Sequence, residues 1–161
     1  MVIDPIQIAR HLTLKDEVMY RGVGHTHLLS YVWRAEQGGG GAEDASCKAP
    51  LLQWTQQFNE LANIIASAIT STPLLQTRAQ LMSHFIAVGL ELKKLQSYNS
   101  LMALLAALGS AAVHRLKLTK QKIGPKVTSK WQGLSDLMAH DGSYKQYRAA
   151  MATARRQPPF I

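Results

Sequence analysis

Apolar positions along this chain recur every three or four residues rather than every two, so the pattern predicts helices throughout. Leu51, Trp54, Phe58, Leu61 and Ile65 fall on one face of a long helix that Pro50 is expected to open and that runs to about Thr70. Thr72-Pro73 reads as the cap and start of the next helix, to about Gln96. That helix carries two apolar stripes, Leu75/Ala79/Met82/Ile86 and Leu81/Phe85/Val88/Leu92/Leu95. A helix with two such faces is expected to lie between neighbours. Residues 99–108 are almost wholly apolar, which predicts a helix buried all round, capped by Asn99 and ended by Gly109-Ser110.

Shorter elements flank this centre. Asp4-Pro5-Ile6-Gln7 supplies an N-cap, a proline at the first helical position and a Gln three residues on, predicting a helix over 5–11. Thr13-Leu14-Lys15-Asp16 reads as a second capping box, opening a separate helix to about Arg21 that Gly22 and Gly24 break. A third short helix is expected over Thr26–Arg34, with Leu28, Leu29, Val32 and Trp33 as its stripe. Residues 35–48, with the Gly38–Gly41 run, read as a mobile linker. After Gly109 the pattern predicts a turn of helix over 111–117, a break at Gly124-Pro125, and helices near 126–139 and 143–156 separated by His140-Asp141-Gly142. The expectation is an all-α protein, an orthogonal multi-helix bundle forming one domain.

Composition changes this picture in three places. At 47% hydrophobic, 161 residues can bury a core of several helices, yet the longest apolar run, Leu101–Leu108, is far too short to cross a bilayer. The lone Cys47 excludes an internal disulfide and favours a reducing, cytoplasmic setting. The net charge of +8 is unevenly placed: residues 1–110 carry eight Lys/Arg against eight Asp/Glu, whereas residues 111–161 carry ten Lys/Arg against Asp136 and Asp141. Such a basic third is read as a solvated face or one that meets an acidic neighbour; anionic lipid or nucleic acid are the alternative ligands.

Bond-making chemistry finds little support. The glycine run lacks both a preceding strand and a following Gly-Lys-Ser/Thr, so it is not a phosphate loop. His25 and His27 have no Cys or acidic residue at ligand spacing, so no metal and no cofactor are expected. The acids are scattered without the pairing that general acid–base catalysis requires.

The segment LQSYNSLMALLAALGSAAVHRLKLT, residues 95–119, resembles the centre of the catalytic domain of Ras-type guanine-nucleotide exchange factors, in which Tyr/Phe-Asn leads into a buried helix and then Ser-Ala-x-x-x-Arg-Leu-Lys. Further pieces are similar to that family in colinear order. They are Ile3–Tyr20, Leu28–Trp33, Ala49–Ala62, Arg78–Leu95, the run SYKQYRA at 143–149, and Pro158-Pro159.

The resemblance implies a regulator rather than an enzyme: a protein that binds a Ras-, Rap- or Ral-like small GTPase, displaces magnesium and a switch region, and stabilises the nucleotide-free state. By the same resemblance, Leu52, Trp54, Gln56, Met102, Gly109 and His114 occupy GTPase-contacting positions. Gln56 stands where the family can have a basic residue, and Gly109 where it usually has Asn, Asp or Gln. The family's wedging hairpin follows the double proline, near which this sequence stops at Ile161, so weak exchange by the chain alone is expected. Transient association with a membrane surface is a further expectation, and nucleic acid is not expected as a partner. A helical scaffold that keeps the fold but binds another protein is the alternative.

Overall fold

The computed structural model describes residues 3–27 and 42–153, and these form helices joined by short turns. In chain order the elements are α1 (Pro5–Arg21), α2 (Ala42–Thr70), α3 (Leu75–Lys94), α4 (Tyr98–Gly109), α5 (Ala111–His114), α6 (Lys117–Ile123), α7 (Pro125–Leu137) and α8 (Asp141–Thr153). No strand occurs among the described residues. The expected helix over Thr26–Arg34 and the Gly38–Gly41 run lie, from position 28 on, outside the described residues.

Helix α3 is the centre of the bundle and touches α1, α2, α4, α6 and α7. Its two stripes explain that position. Met82 and Ile86 from one and Val88 and Leu92 from the other are all essentially inaccessible to water. They meet Ile65 and Ile69 of α2, Leu101, Leu104 and Leu108 of α4, Val113 of α5 and Leu134 of α7 in one core. Each of these side chains contributes about 2 kcal/mol by leaving water. Gly89 lets the neighbours come this close: a β-carbon there would stand 3.0 Å from Leu134 Cδ1 and 3.4 Å from Leu104 Cδ2.

The α4 segment is less uniformly buried than its composition predicts. Leu101, Leu104 and Leu108 are inside, but Met102 and Leu105 are half-buried and Ala106 and Gly109 are exposed. One side of an apolar helix is therefore left open.

Helix α1 is continuous from Pro5 to Arg21, where the capping pattern predicts two helices. Asp4 caps it as expected, its Oδ1 accepting from the Ile6 N–H at 3.0 Å. Thr13 opens nothing: its hydroxyl donates back to the Ala9 carbonyl at 2.8 Å, inside an unbroken helix. Asp16, read as the other half of a capping box, is buried and serves α4 instead. Its Oδ2 accepts from Ser97 Oγ at 2.9 Å, Ser100 Oγ at 2.7 Å and the Ser100 N–H at 3.1 Å. Its Oδ1 accepts from Asn99 Nδ2 at 2.9 Å. Asn99 therefore lies inside α4 and does not cap it; the Ser100 N–H of its first turn is served by a carboxylate from another helix.

The α3–α4 junction is a Schellman motif. The Ser97 N–H donates to the Leu92 carbonyl and the Gln96 N–H to the Lys93 carbonyl, at 3.0 and 3.2 Å. The left-handed residue this motif needs is Gln96, at φ 58°, where glycine is usual.

Other boundaries differ from expectation as well: the turn expected over 111–117 ends at His114 as α5, and a separate α6 runs over Lys117–Ile123. Helix α2 starts at Ala42, so Pro50 lies inside it and positions 42–48 are helical rather than linker. Helix α3 starts at Leu75, because the Thr72 hydroxyl donates to the Ala68 carbonyl and finishes α2 instead of capping α3. The break after α7 extends through Ser143 and Tyr144, which with Gly142 adopt left-handed angles near +55° to +59°.

Removing the Asp16 carboxylate would strand buried hydroxyl and amide donors. Asp16→Ala is expected to lose about 3 kcal/mol of stability, read as a lower urea midpoint at unchanged m-value. Gln96→Gly relieves the left-handed strain and is expected to gain about 0.5–1 kcal/mol in the same measurement; a loss would show that the Gln96 side chain holds the turn.

Candidate functional site

The open side of α4 and the N-terminal half of α2 form two adjoining clefts. One, about 280 Å³, is lined by Leu51, Trp54, Thr55 and Phe58 of α2 and Asn99 of α4. The other, about 220 Å³, lies among Phe58, Tyr98, Asn99, Met102, Met138, Tyr144 and Tyr147. Phe58 and Asn99 belong to both, so they form the ridge between them. Asn99 is fixed by its bond to Asp16, so the buried carboxylate of α1 determines where this ridge stands.

Trp54 is half-buried and packs edge-on against Tyr20, with ring centroids 5.9 Å apart at 83°. Its Nε1–H is shielded yet has no acceptor among the described residues. An indole N–H without a partner at a cleft wall is a donor available to an incoming carbonyl or carboxylate. Met102 sits half-exposed in the second cleft, where an unbranched thioether adapts to the shape of an apolar partner.

The other expected contact residues are spread more widely. Leu52, 57% exposed, and Gln56 lie four apart on the outer side of α2, roughly 160–200° around the helix from Trp54. Gln56 Nε2 donates to Glu60 Oε1 at 2.8 Å along that outer side. Gly109 is exposed, and a β-carbon added there would meet nothing within 4 Å. His114 is exposed at the end of α5. Trp54 and Met102 thus share one continuous apolar face through Phe58 and Asn99, while Leu52 and Gln56 belong to a different side of α2.

Tyr98, Tyr147 and Tyr144 were not among the expected site residues. Tyr98 and Tyr147 pack edge-to-face with centroids 4.9 Å apart. Burial pushes both phenols above their ordinary value of 10.0, and for Tyr147 the proximity of Tyr98 adds to the effect. The signal available in the sequence was a pair of tyrosines three apart, Tyr144 and Tyr147, in an otherwise basic helix. Among the described residues no group of three or more His, Cys, Asp or Glu side chains could hold a metal ion. His27 Nδ1 instead accepts from the Gly24 N–H at 2.9 Å.

Comparison with known proteins gives this face a setting. The model of the RasGEF domain matches residues 7–161. The chain is 31% identical over 160 residues to Ras guanine nucleotide exchange factor A of Dictyostelium discoideum, covering 99% of this chain and 25% of the relative. It is 34% identical over 164 residues to Ras guanine nucleotide exchange factor J of the same organism, covering 99% and 19%. It is 30% identical over 150 residues to human Ras guanyl-releasing protein 3, covering 93% and 21%. The chain belongs to the RasGEF domain family. It spans a quarter or less of the length of these curated relatives.

The tyrosine pair carries a pH signature. A phenol raised in the folded state favours folding while protonated; that contribution is complete below pH 10 and is lost as pH rises through the folded-state value. Stability is therefore expected to fall above about pH 10, and Tyr147→Phe to show a shallower alkaline decline in urea titrations. An identical decline in the variant would remove Tyr147 from the cause.

Proposed function

We propose that this chain is an exchange-factor domain that binds a Ras-like small GTPase and promotes release of GDP from it. The observation that carries this reading is the apolar face joining Trp54, Phe58, Asn99 and Met102, in a chain whose family match covers residues 7–161. No bond is made or broken in the reaction. The chain acts by binding the nucleotide-free GTPase more tightly than the GDP-bound form, and that difference in affinity sets how far the nucleotide equilibrium shifts. Rigidity of the face serves this purpose. A partner held open must be met by a surface that does not yield; Asn99 is held by the Asp16 network and Met102 packs against the core.

Trp54 is assigned as a hydrogen-bond donor and apolar anchor, and Met102 as the adaptable apolar contact in the second cleft. Gly109 and His114 are assigned to the rim, and Leu52 and Gln56 to a separate contact on the outer side of α2, each being exposed. The partner is a Ras, Rap or Ral-type GTPase that docks on the chain's helical face, and exchange by this chain alone is expected to be weak. We also infer that the chain works beside a membrane surface, a reading supported by the basic excess after residue 110.

Immobilised chain is expected to retain nucleotide-free Ras, Rap or Ral in preference to the GDP-bound form, and to accelerate only weakly the release of fluorescent GDP from the one it retains. Trp54→Ala and the milder Met102→Gln are each expected to weaken retention about tenfold or more, with the helical circular dichroism of Met102→Gln unchanged. Equal retention of both nucleotide states would overturn the proposal and favour a scaffold role.

A further inference from the structure

Nine large apolar side chains stand exposed among the described residues, and three of them gather at one end of the molecule. Leu74 and Leu75 begin α3, and Leu118 lies in the first turn of α6; their exposures are 67%, 36% and 67%. Arg78 brings the two segments together. Its Nε donates to Thr119 Oγ1 at 2.9 Å, and its Nη1 donates to the Thr72 carbonyl at 3.1 Å. One guanidinium therefore ties the turn before α3 to the buried side of α6, leaving Leu74 and Leu118 on the outside of the same corner. A planar fork with several donors suits this double grip.

The corner is also basic. Lys117 and Lys122 flank Leu118 on the exposed side of α6, and Lys126 follows in the first turn of α7. None of the three makes an ion pair among the described residues. Lys120, by contrast, turns inward over the Trp131 ring, 5.1 Å from its centroid. Acidic residues are nearly absent from this half of the sequence: between Glu60 and Asp136 the only one is Glu91, and it is paired with Lys94 at 2.6 Å. Among the described residues no carboxylate is paired with Lys117, Lys122 or Lys126.

We propose that Leu74, Leu75 and Leu118, with Lys117 and Lys122, form a docking surface for an anionic lipid bilayer. This deepens, and rests on, the reading that the chain works beside a membrane. Aliphatic side chains ringed by lysines match the boundary between acyl chains and negatively charged headgroups: the leucines enter the apolar layer while the ammonium groups stay with the phosphates. A nucleic acid would instead be met by aromatic or bidentate groups beside the charge, and the solvent-facing groups here are leucines and lysines. The location is also compatible with exchange. The corner lies at the start of α3, while Asn99 and the two clefts lie beyond its end, so the length of that helix, roughly 30 Å, separates membrane from GTPase.

The test is co-sedimentation of the chain with phosphatidylcholine vesicles, with and without phosphatidylserine, alongside capture of nucleotide-free GTPase. Binding is expected only with phosphatidylserine and is expected to fall with added salt. Lys117→Gln/Lys122→Gln and, separately, Leu74→Gln/Leu118→Gln are each expected to lower it about tenfold or more, with GTPase capture unchanged. Equal binding to neutral vesicles, insensitivity to both double variants, or a leucine-dependent self-association without vesicle binding would overturn the proposal. Loss of GTPase capture with vesicle binding intact would instead sink the exchange reading alone.

Discussion

A single buried carboxylate organises the functional half of this molecule. Asp16 accepts four hydrogen bonds, all from the first residues of α4 and the turn before it. A charge taken out of water is tolerable only when its oxygens are met by donors, and here every donor comes from the segment that must be positioned. The network consequently works in both directions. It satisfies Asp16, and it fixes the entry of α4 against α1. Asn99 inherits its place from that network, and the ridge between the two clefts inherits its place from Asn99.

The apolar core complements this polar anchor. Hydrophobic burial through Met82, Ile86, Leu101 and Leu104 supplies most of the stabilisation but little direction, because it is proportional to area and indifferent to register. Direction comes from features at the two ends of α3. At one end stand the Schellman turn at Gln96 and the Asp16 network; at the other, Arg78 holds Thr72 and Thr119. Gly89 in the middle sets how near the neighbours come.

Most of the helices and the core were legible in the sequence, because periodicity reports which face is apolar regardless of distant contacts. The two stripes of α3 and the apolar run of α4 were enough to place both at the centre. The errors arose at helix boundaries, where a local start signal was put to another use. Thr13-x-x-Asp16 has the residues of a capping box, yet Asp16 is claimed by residues more than eighty positions away. Thr72-Pro73 looks like a start but closes the helix before it. Pro50 looks like a start as well, and the helix extends eight residues upstream of it. Of the site, Trp54 and Met102 were identifiable by resemblance, and the structure places them on one face. The tyrosines were missed because stacking between Tyr98 and Tyr147 joins two helices far apart in the chain. That Leu52 and Gln56 face away from Trp54 follows from their spacing of two residues on either side of it.

The separation between Asp16 and its partners also governs the order in which the chain can fold during synthesis. Ser100 follows Asp16 by 84 residues. At a translation rate of roughly 5–20 residues per second, α1 leaves the ribosome on the order of 4–17 s before its last donor does. Throughout that interval the carboxylate must stay hydrated, because no buried position can yet satisfy it. Helix α1 therefore cannot dock early in its final place. The N-terminus of this domain becomes native only after its middle has been made, and the clefts take shape at that late step.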